Sequence, residues 1–345
     1  MSPPPGYFVS RNYTSRFNAA GKAKIDCEEI LEDCGWVNLG LKRSFHSNGL
    51  YGTLLNATGV VRALLTLPRG AWLCVQYPTN KFYRLMLGVA RLKGCRVVSI
   101  IHDVRSLRSK GEASTDELAL FARSACLIVH NDRMKAWLRG QGVTTRIECL
   151  GVFDYLTPSE APPVQADWPP VGIVYAGALH PKKNAFVYQL GTAPLEPLRA
   201  HLYGKGYDRA SAVGEASRVV YKGFFPFDEL MQHIEGSFGL VWDGESVETC
   251  SGVYGDYLRY NHPHKCSFYL ACGLPVIVWS ESAVAEFVRR EGVGLCVDSL
   301  GEVSGVVQGL SENAYREMVG RAGVVRDRVR NGFYLSAALK AAVVE

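Results

Sequence analysis

Short apolar runs rich in β-branched residues alternate with stretches of helical period from one end of the chain to the other, the signature of βα units that build parallel sheets. In the first half the runs Tyr7 to Ser10, Trp36 to Leu39, Trp72 to Gln76, Val97 to Ile101, Cys126 to Val129 and Ile147 to Leu150 are expected strands. A second series follows in Gly172 to Ala176, Arg199 to Tyr203, Arg218 to Tyr221, Phe238 to Trp242, Pro275 to Trp279 and Leu295 to Val297. Between strands, apolar residues fall on one helical stripe. In Ala23 to Cys34 these are Ala23, Cys27, Ile30, Leu31 and Cys34, with Gly35 placed to end the helix. The pattern predicts an α/β protein of two similar parallel-sheet halves.

The segment Thr157 to Pro170, TPSEAPPVQADWPP, interrupts this alternation. Its five prolines lack N–H donors and forbid helix, so it reads as a linker. We therefore expect an N-terminal domain over residues 1–156, a proline-rich linker over 157–170 and a second domain over 171–325. The remainder, 326–345, is helical by composition and is expected to dock back on the first domain.

Composition adds limits. At 345 residues, 48% hydrophobic and 21% charged, the chain can bury two sizeable cores and is not a disordered polymer. The net charge of +5 comes without a long Lys/Arg block, which argues against a nucleic-acid partner. It fits a phosphate-bearing small molecule or weak attraction to an anionic membrane face. Ten cysteines are scattered singly with no CxxC pair, as expected of reduced core residues, and no metal site is expected. The first residues, MSPPPGYFVS, have neither the basic nor the apolar region of a leader, and no apolar run reaches the roughly 18 residues that span a bilayer. A cytoplasmic protein, with peripheral contact to the inner membrane face, is the expectation.

The densest chemistry lies between Gly255 and Trp279, GDYLRYNHPHKCSFYLACGLPVIVW. A polar loop bearing Tyr260, Asn261 and His264 runs into a short helix, with Pro263 preset for the first turn and Lys265 just after it. Free N–H groups of that turn and the Lys265 ammonium can face one anion together, a phosphate or pyrophosphate; the alternative is a solvated lysine on a connector. In open parallel sheets, ligands bind beyond the carboxyl ends of the strands. There the chain offers Gly177, Asp243 and Gly244 in its second half, with Lys182 or Lys183 nearby in sequence. Glu245, Glu248 and Asp256 extend an acidic group that either holds sugar hydroxyls or is a solvated loop. The first half offers Asn18 and Gly21, then Tyr77 and Thr79, then His102 and Asp103. Either of the last two is a candidate base, or the pair braces a loop. No DxD triplet occurs, so neutralisation of a diphosphate falls to Lys265 and helix dipoles.

The stretches NAAGKAKID (Asn18 to Asp26), IHDVRSLR (Ile101 to Arg108), YAGAL (Tyr175 to Leu179), GLVWDGES (Gly239 to Ser246) and RYNHPHKCSFYLACGLPVIVW (Arg259 to Trp279) resemble bacterial GT-B glycosyltransferases of the galactofuranosyltransferase and glucosyltransferase-3-like group. The resemblance implies two Rossmann-like parallel-sheet domains facing a central cleft, metal independence and no bound cofactor. It implies transfer of a hexose, glucosyl or galactosyl/galactofuranosyl, from a UDP-linked donor to a glycan, glycolipid or glycoprotein acceptor, in a homo-oligomer. By position, Gly177, Asn261 and Lys265 resemble donor contacts, with Lys182, Asp243, Gly244, Tyr260 and His264 beside them. Gly21 and the His102–Asp103 pair resemble the opposite wall, where the strand-end residues Asn18, Tyr77 and Thr79 are also expected. The chain lacks a Glu-x7-Glu pattern near the donor helix, which leaves stereochemistry open. An epimerase or hydrolase acting on the nucleotide sugar, and a non-catalytic binding partner of a transferase, are the competing readings. No GxGxxG follows the first strand, which disfavours a dehydrogenase.

Overall fold

The computed structural model describes residues 6–14, 19–78, 82–108, 114–157 and 167–344. The chain divides into two compact units, one holding the residues up to Asp154 together with those from Gly332 onward, the other spanning Tyr155–Asn331. The linker expected at 157–170 falls largely outside the described residues.

Each unit is built on a six-stranded, wholly parallel sheet. The first contains β1 (Gly6–Phe8), β2 (Val37–Asn38), β3 (Trp72–Tyr77), β4 (Arg96–Ile101), β5 (Cys126–Val129) and β6 (Arg146–Cys149) in the order β2-β1-β3-β4-β5-β6. The second contains β7 (Gly172–Ala176), β8 (Arg199–Tyr203), β9 (Val219–Gly223), β10 (Phe238–Val241), β11 (Val276–Trp279) and β12 (Gly294–Val297) in the order β12-β11-β10-β7-β8-β9. Every expected strand is present, and the central ones are continuous apolar runs, as parallel strands covered on both faces must be, while β2 and β9 at the sheet edges are partly exposed. In β5, β10 and β11 all four residues are buried. The second order is the Rossmann arrangement, and its direction of winding reverses between β7 and β10; the first sheet reverses between β1 and β3. Crevices at the carboxyl ends of those strand pairs are where such sheets take ligands.

Close packing fixes the helix that matters most. Gly239, mid-β10, pairs with Val174 on one side and Val276 on the other. A Cβ there would lie 2.1 Å from the Tyr269 ring, so only glycine lets helix His264–Ala271 settle on the sheet. Tyr269 then accepts a hydrogen bond from the Ala176 N–H at 2.8 Å, tying that helix to the end of β7.

The C-terminal helix Phe333–Val343 lies in the first unit, entered through Gly332 in the left-handed region (φ 69°). Its amino end has no cap from its own sequence. Buried Asp154 supplies one, accepting from Tyr334 N–H at 3.1 Å and Leu335 N–H at 2.8 Å. Arg146 closes the other end by donating to the Ala341 and Val344 carbonyls at 2.8 and 2.7 Å. Anion at the start and cation at the finish both complement the helix dipole. Burial pushes the Asp154 carboxyl up to about 7, against the two N–H bonds that favour its charged form. A raised carboxyl binds a proton that the unfolded chain has released, so its stabilising contribution is complete below about pH 4 and is lost as pH rises through about 7. Asp154→Asn should remove that slope from a melting-temperature series, while Asp154→Ala should lose both bonds and about 1–3 kcal/mol. A wild-type slope retained in the asparagine variant refutes this account.

Candidate active site

At the winding reversal of the second sheet, the segments leaving β7 and β10 meet the first turn of helix His264–Ala271. Lys265 enters this corner with its side chain 14% exposed, and all three ammonium hydrogens have acceptors there: Asp243 Oδ1 at 2.7 Å, the Trp242 carbonyl at 3.1 Å and Tyr175 Oη at 3.2 Å. The same ammonium lies 4.5 Å from the centroid of the Tyr175 ring, and the Tyr175 hydroxyl itself donates to Asp243 at 3.3 Å. Burial lowers the Lys265 ammonium from its ordinary value, the Asp243 carboxylate opposes that shift, and the Lys183 charge adds to it. The corner is thus a compact, nearly neutral group that Lys183 tips toward positive.

The structure sorts the residues named from sequence. Gly177, Asp243 and Lys265 come together. Pro263 stands one residue before the helix with extended ψ of 137°, as its cap residue and not in the first turn, and no side chain caps that turn. Asn261 precedes it with a buried Oδ1 that has no hydrogen-bond partner among the described residues. Tyr260 and His264 flank Asn261 on the same segment, and the His264 ring rests against Tyr155 at 5.0 Å. Gly177 carries no steric demand of its own, since a Cβ there would meet only the Tyr175 side chain, at 3.4 Å.

Gly244 is buried with φ +118°, and a Cβ would lie 2.3 Å from the Ser251 carbonyl, so loop packing by itself requires glycine there. Lys182 is exposed, and Lys183 is the neighbour whose charge reaches Lys265. Glu245, Glu248 and Asp256 are exposed, which leaves Asp243 as the one member of the acidic group in the corner. Sequence reasoning missed Tyr175, which looks like any core residue of β7. It also missed Asn184, 1% exposed, whose amide donates to the Ala178 carbonyl at 2.8 Å while its Oδ1 has no partner among the described residues.

The carboxyl edge of the first sheet holds the other candidates. His102 is braced: Nε2 lies 2.7 Å from Gln76 Oε1, the ring stacks on Phe153 (5.2 Å, 9°), and the His102 backbone N–H donates to the Tyr77 carbonyl. Asp103 is 36% exposed and pairs with Arg108 at 3.3 Å. Tyr77, expected on the wall, is 6% exposed and turned inward, where its hydroxyl donates to buried Glu117 at 2.6 Å. Gly21 lies within the first turn of helix Ala19–Asp33, while Asn18 and Thr79 fall outside the described residues. Lys24, one turn further along that helix, was not legible from sequence. Its ammonium donates to the Pro78 carbonyl at 2.9 Å, and its pKa is brought down to about 7 by burial and then by Arg11, with Asp103 opposing.

Comparison with known proteins decides the family. Residues 6–152 match the N-terminal domain and residues 173–342 the C-terminal domain of the glucosyltransferase 3-like family. The chain belongs to that family. It is 29% identical over 337 residues to the beta-1,6-galactofuranosyltransferase WbbI of Escherichia coli (strain K12), covering 97% of each chain. The fold is also that of TarM (TM-score 0.53, 12% identity, 84% of this chain and 58% of that one). It is likewise that of WaaG, a glycosyltransferase involved in lipopolysaccharide biosynthesis (TM-score 0.50, 13% identity, 97% of this chain and 98% of that one). This glucosyltransferase 3-like chain is a GT-B hexosyltransferase.

Proposed function

We propose that this hexosyltransferase takes its sugar from a UDP-linked donor held at the Lys265 corner and passes it to a hydroxyl of a glycan, glycolipid or glycoprotein in bacterial surface-glycan assembly. The observation that carries the donor assignment is the convergence of Lys265, Asp243 and Tyr175 on the winding reversal between β7 and β10, beside an uncapped helix start. The C1–O bond to the diphosphate breaks with its electron pair leaving on phosphate, and the acceptor oxygen forms the new bond to C1. Charge grows on the diphosphate as this proceeds, and Lys265, Lys183 and the first-turn N–H groups meet it without a metal ion. The galactofuranosyl or glucosyl choice, cytoplasmic location and homo-oligomeric assembly belong to the same reading, supported by family membership.

Gly177→Ala tests the donor site with little risk to folding, since the added methyl has ordinary contact distances inside the protein. If the diphosphate approaches this backbone, UDP affinity measured by calorimetry should fall about tenfold at unchanged melting temperature. Wild-type UDP affinity in the variant moves the diphosphate elsewhere, and absence of UDP binding to the wild type removes the donor reading altogether.

A further inference from the structure

Charge along this chain is less even than its net +5 suggests. Residues 34–102 contain nine Lys or Arg and no Asp or Glu, so a cationic block hides inside a near-neutral total. It coincides with an exposed apolar face. Helix Gly49–Thr66 shows Leu50 (87% exposed), Leu54 (62%), Val61 and Leu65 (78%) to solvent, spaced i, i+4, i+11, i+15, a line about 22 Å long on one side of the helix. Arg62 is the helix's one charged residue, and it borders that line with Tyr51. The neighbouring helix Tyr83–Leu92 repeats the arrangement with exposed Leu85 and Leu92 beside exposed Arg84 and Arg91. Lys93 locks the two helices together by donating to the carbonyls of Leu64, Leu65 and Leu67.

We propose that this two-helix face docks on the surface of an anionic lipid bilayer, the leucine lines entering the acyl boundary and the arginines meeting the headgroups. Surface apolar residues are ordinary when single, but aligned over several turns beside a mainly cationic rim they mark an interface. The charge chooses the occupant. Asp116 offsets Arg84 at 2.7 Å, but two copies of the chain meeting symmetrically through this face would set Arg62 and Arg91 against their own counterparts, which is repulsive, whereas each cation near an anionic leaflet is attracted to it. No helix of the described residues is long and apolar enough to cross a membrane, so the contact is one of lying on the surface.

Sedimentation of the full chain with vesicles of phosphatidylcholine, with and without phosphatidylglycerol, tests this. Binding is expected only with phosphatidylglycerol, weakening as salt rises, and about tenfold or more weaker for Leu54→Glu/Leu65→Glu and for Arg62→Glu/Arg91→Glu. These side chains are exposed, so melting curves should stay at wild type and separate lost docking from lost folding. The proposal is overturned if wild type does not bind phosphatidylglycerol vesicles at low salt, or if either double variant binds as well as wild type. It is equally overturned if light scattering shows that Leu54→Glu/Leu65→Glu breaks an oligomer while vesicle binding is absent throughout, which would assign the face to a second copy of the chain.

Discussion

Alanine in place of Lys265 is expected to lower turnover by about a hundredfold and to weaken UDP binding, with the chain still folded. One charge-assisted hydrogen bond to the leaving diphosphate contributes about 1.5–3 kcal/mol, a factor of roughly ten to a hundred. The upper end is expected because of what the substitution leaves behind. In the ligand-free corner Lys265 neutralises Asp243 at 2.7 Å, and the alanine variant would present an unpaired carboxylate, 15% exposed, to an incoming dianion. The loss therefore combines a missing attraction with a new repulsion. Asp243→Asn added to Lys265→Ala should recover part of the UDP affinity, whereas two independent losses would simply add. Lys265→Ala will also lower the melting temperature, since Tyr175 and the Trp242 carbonyl lose a donor, so affinity must be measured well below the transition. Wild-type turnover in Lys265→Ala, or no recovery in the double variant, removes Lys265 from contact with the donor.

The architecture was far more legible than the site, for a physical reason. A parallel strand needs apolar residues on both faces, so β5, β10 and β11 declare themselves as uninterrupted runs, and two series of such runs specify two sheets. The site depends on which side chains burial brings together, and local pattern carries little of that. A glycine after a strand reads identically whether a turn or a ligand requires it; Gly244 answers to Ser251, and Gly177 to nothing inside the chain. Tyr77 and Tyr175 both sit near the carboxyl ends of apolar strands and look alike in sequence. One turns inward to Glu117 and the other reaches Lys265. Lys24 becomes notable only because its ammonium is buried near Arg11 and Arg105, residues 13 and 81 positions away in sequence.

Asp103→Asn is expected to lower the turnover number by two to four orders of magnitude, the range for losing a general base, while UDP affinity stays at wild type. The structure separates it from its neighbour. His102 has its Nε2 engaged by Gln76 and its ring stacked on Phe153, so it is held in place by the sheet edge, whereas the Asp103 carboxylate is 36% exposed at the same edge with Arg108 beside it. Removing the His102 ring should therefore act chiefly on stability: His102→Asn is expected to lower the melting temperature and to cost less in turnover than Asp103→Asn. A third group at this edge must be tested with them. With its pKa near 7, Lys24 is half neutral at neutral pH and becomes a free amine base as pH rises. If that amine accepts the acceptor hydroxyl's proton, the rate should climb with pH through about 7, and Lys24→Met should abolish the climb. If Asp103 accepts it, Lys24→Met should keep most of the turnover and Asp103→Asn should not. Full turnover in Asp103→Asn, together with loss of the pH-dependent climb in Lys24→Met, would transfer the role to the amine.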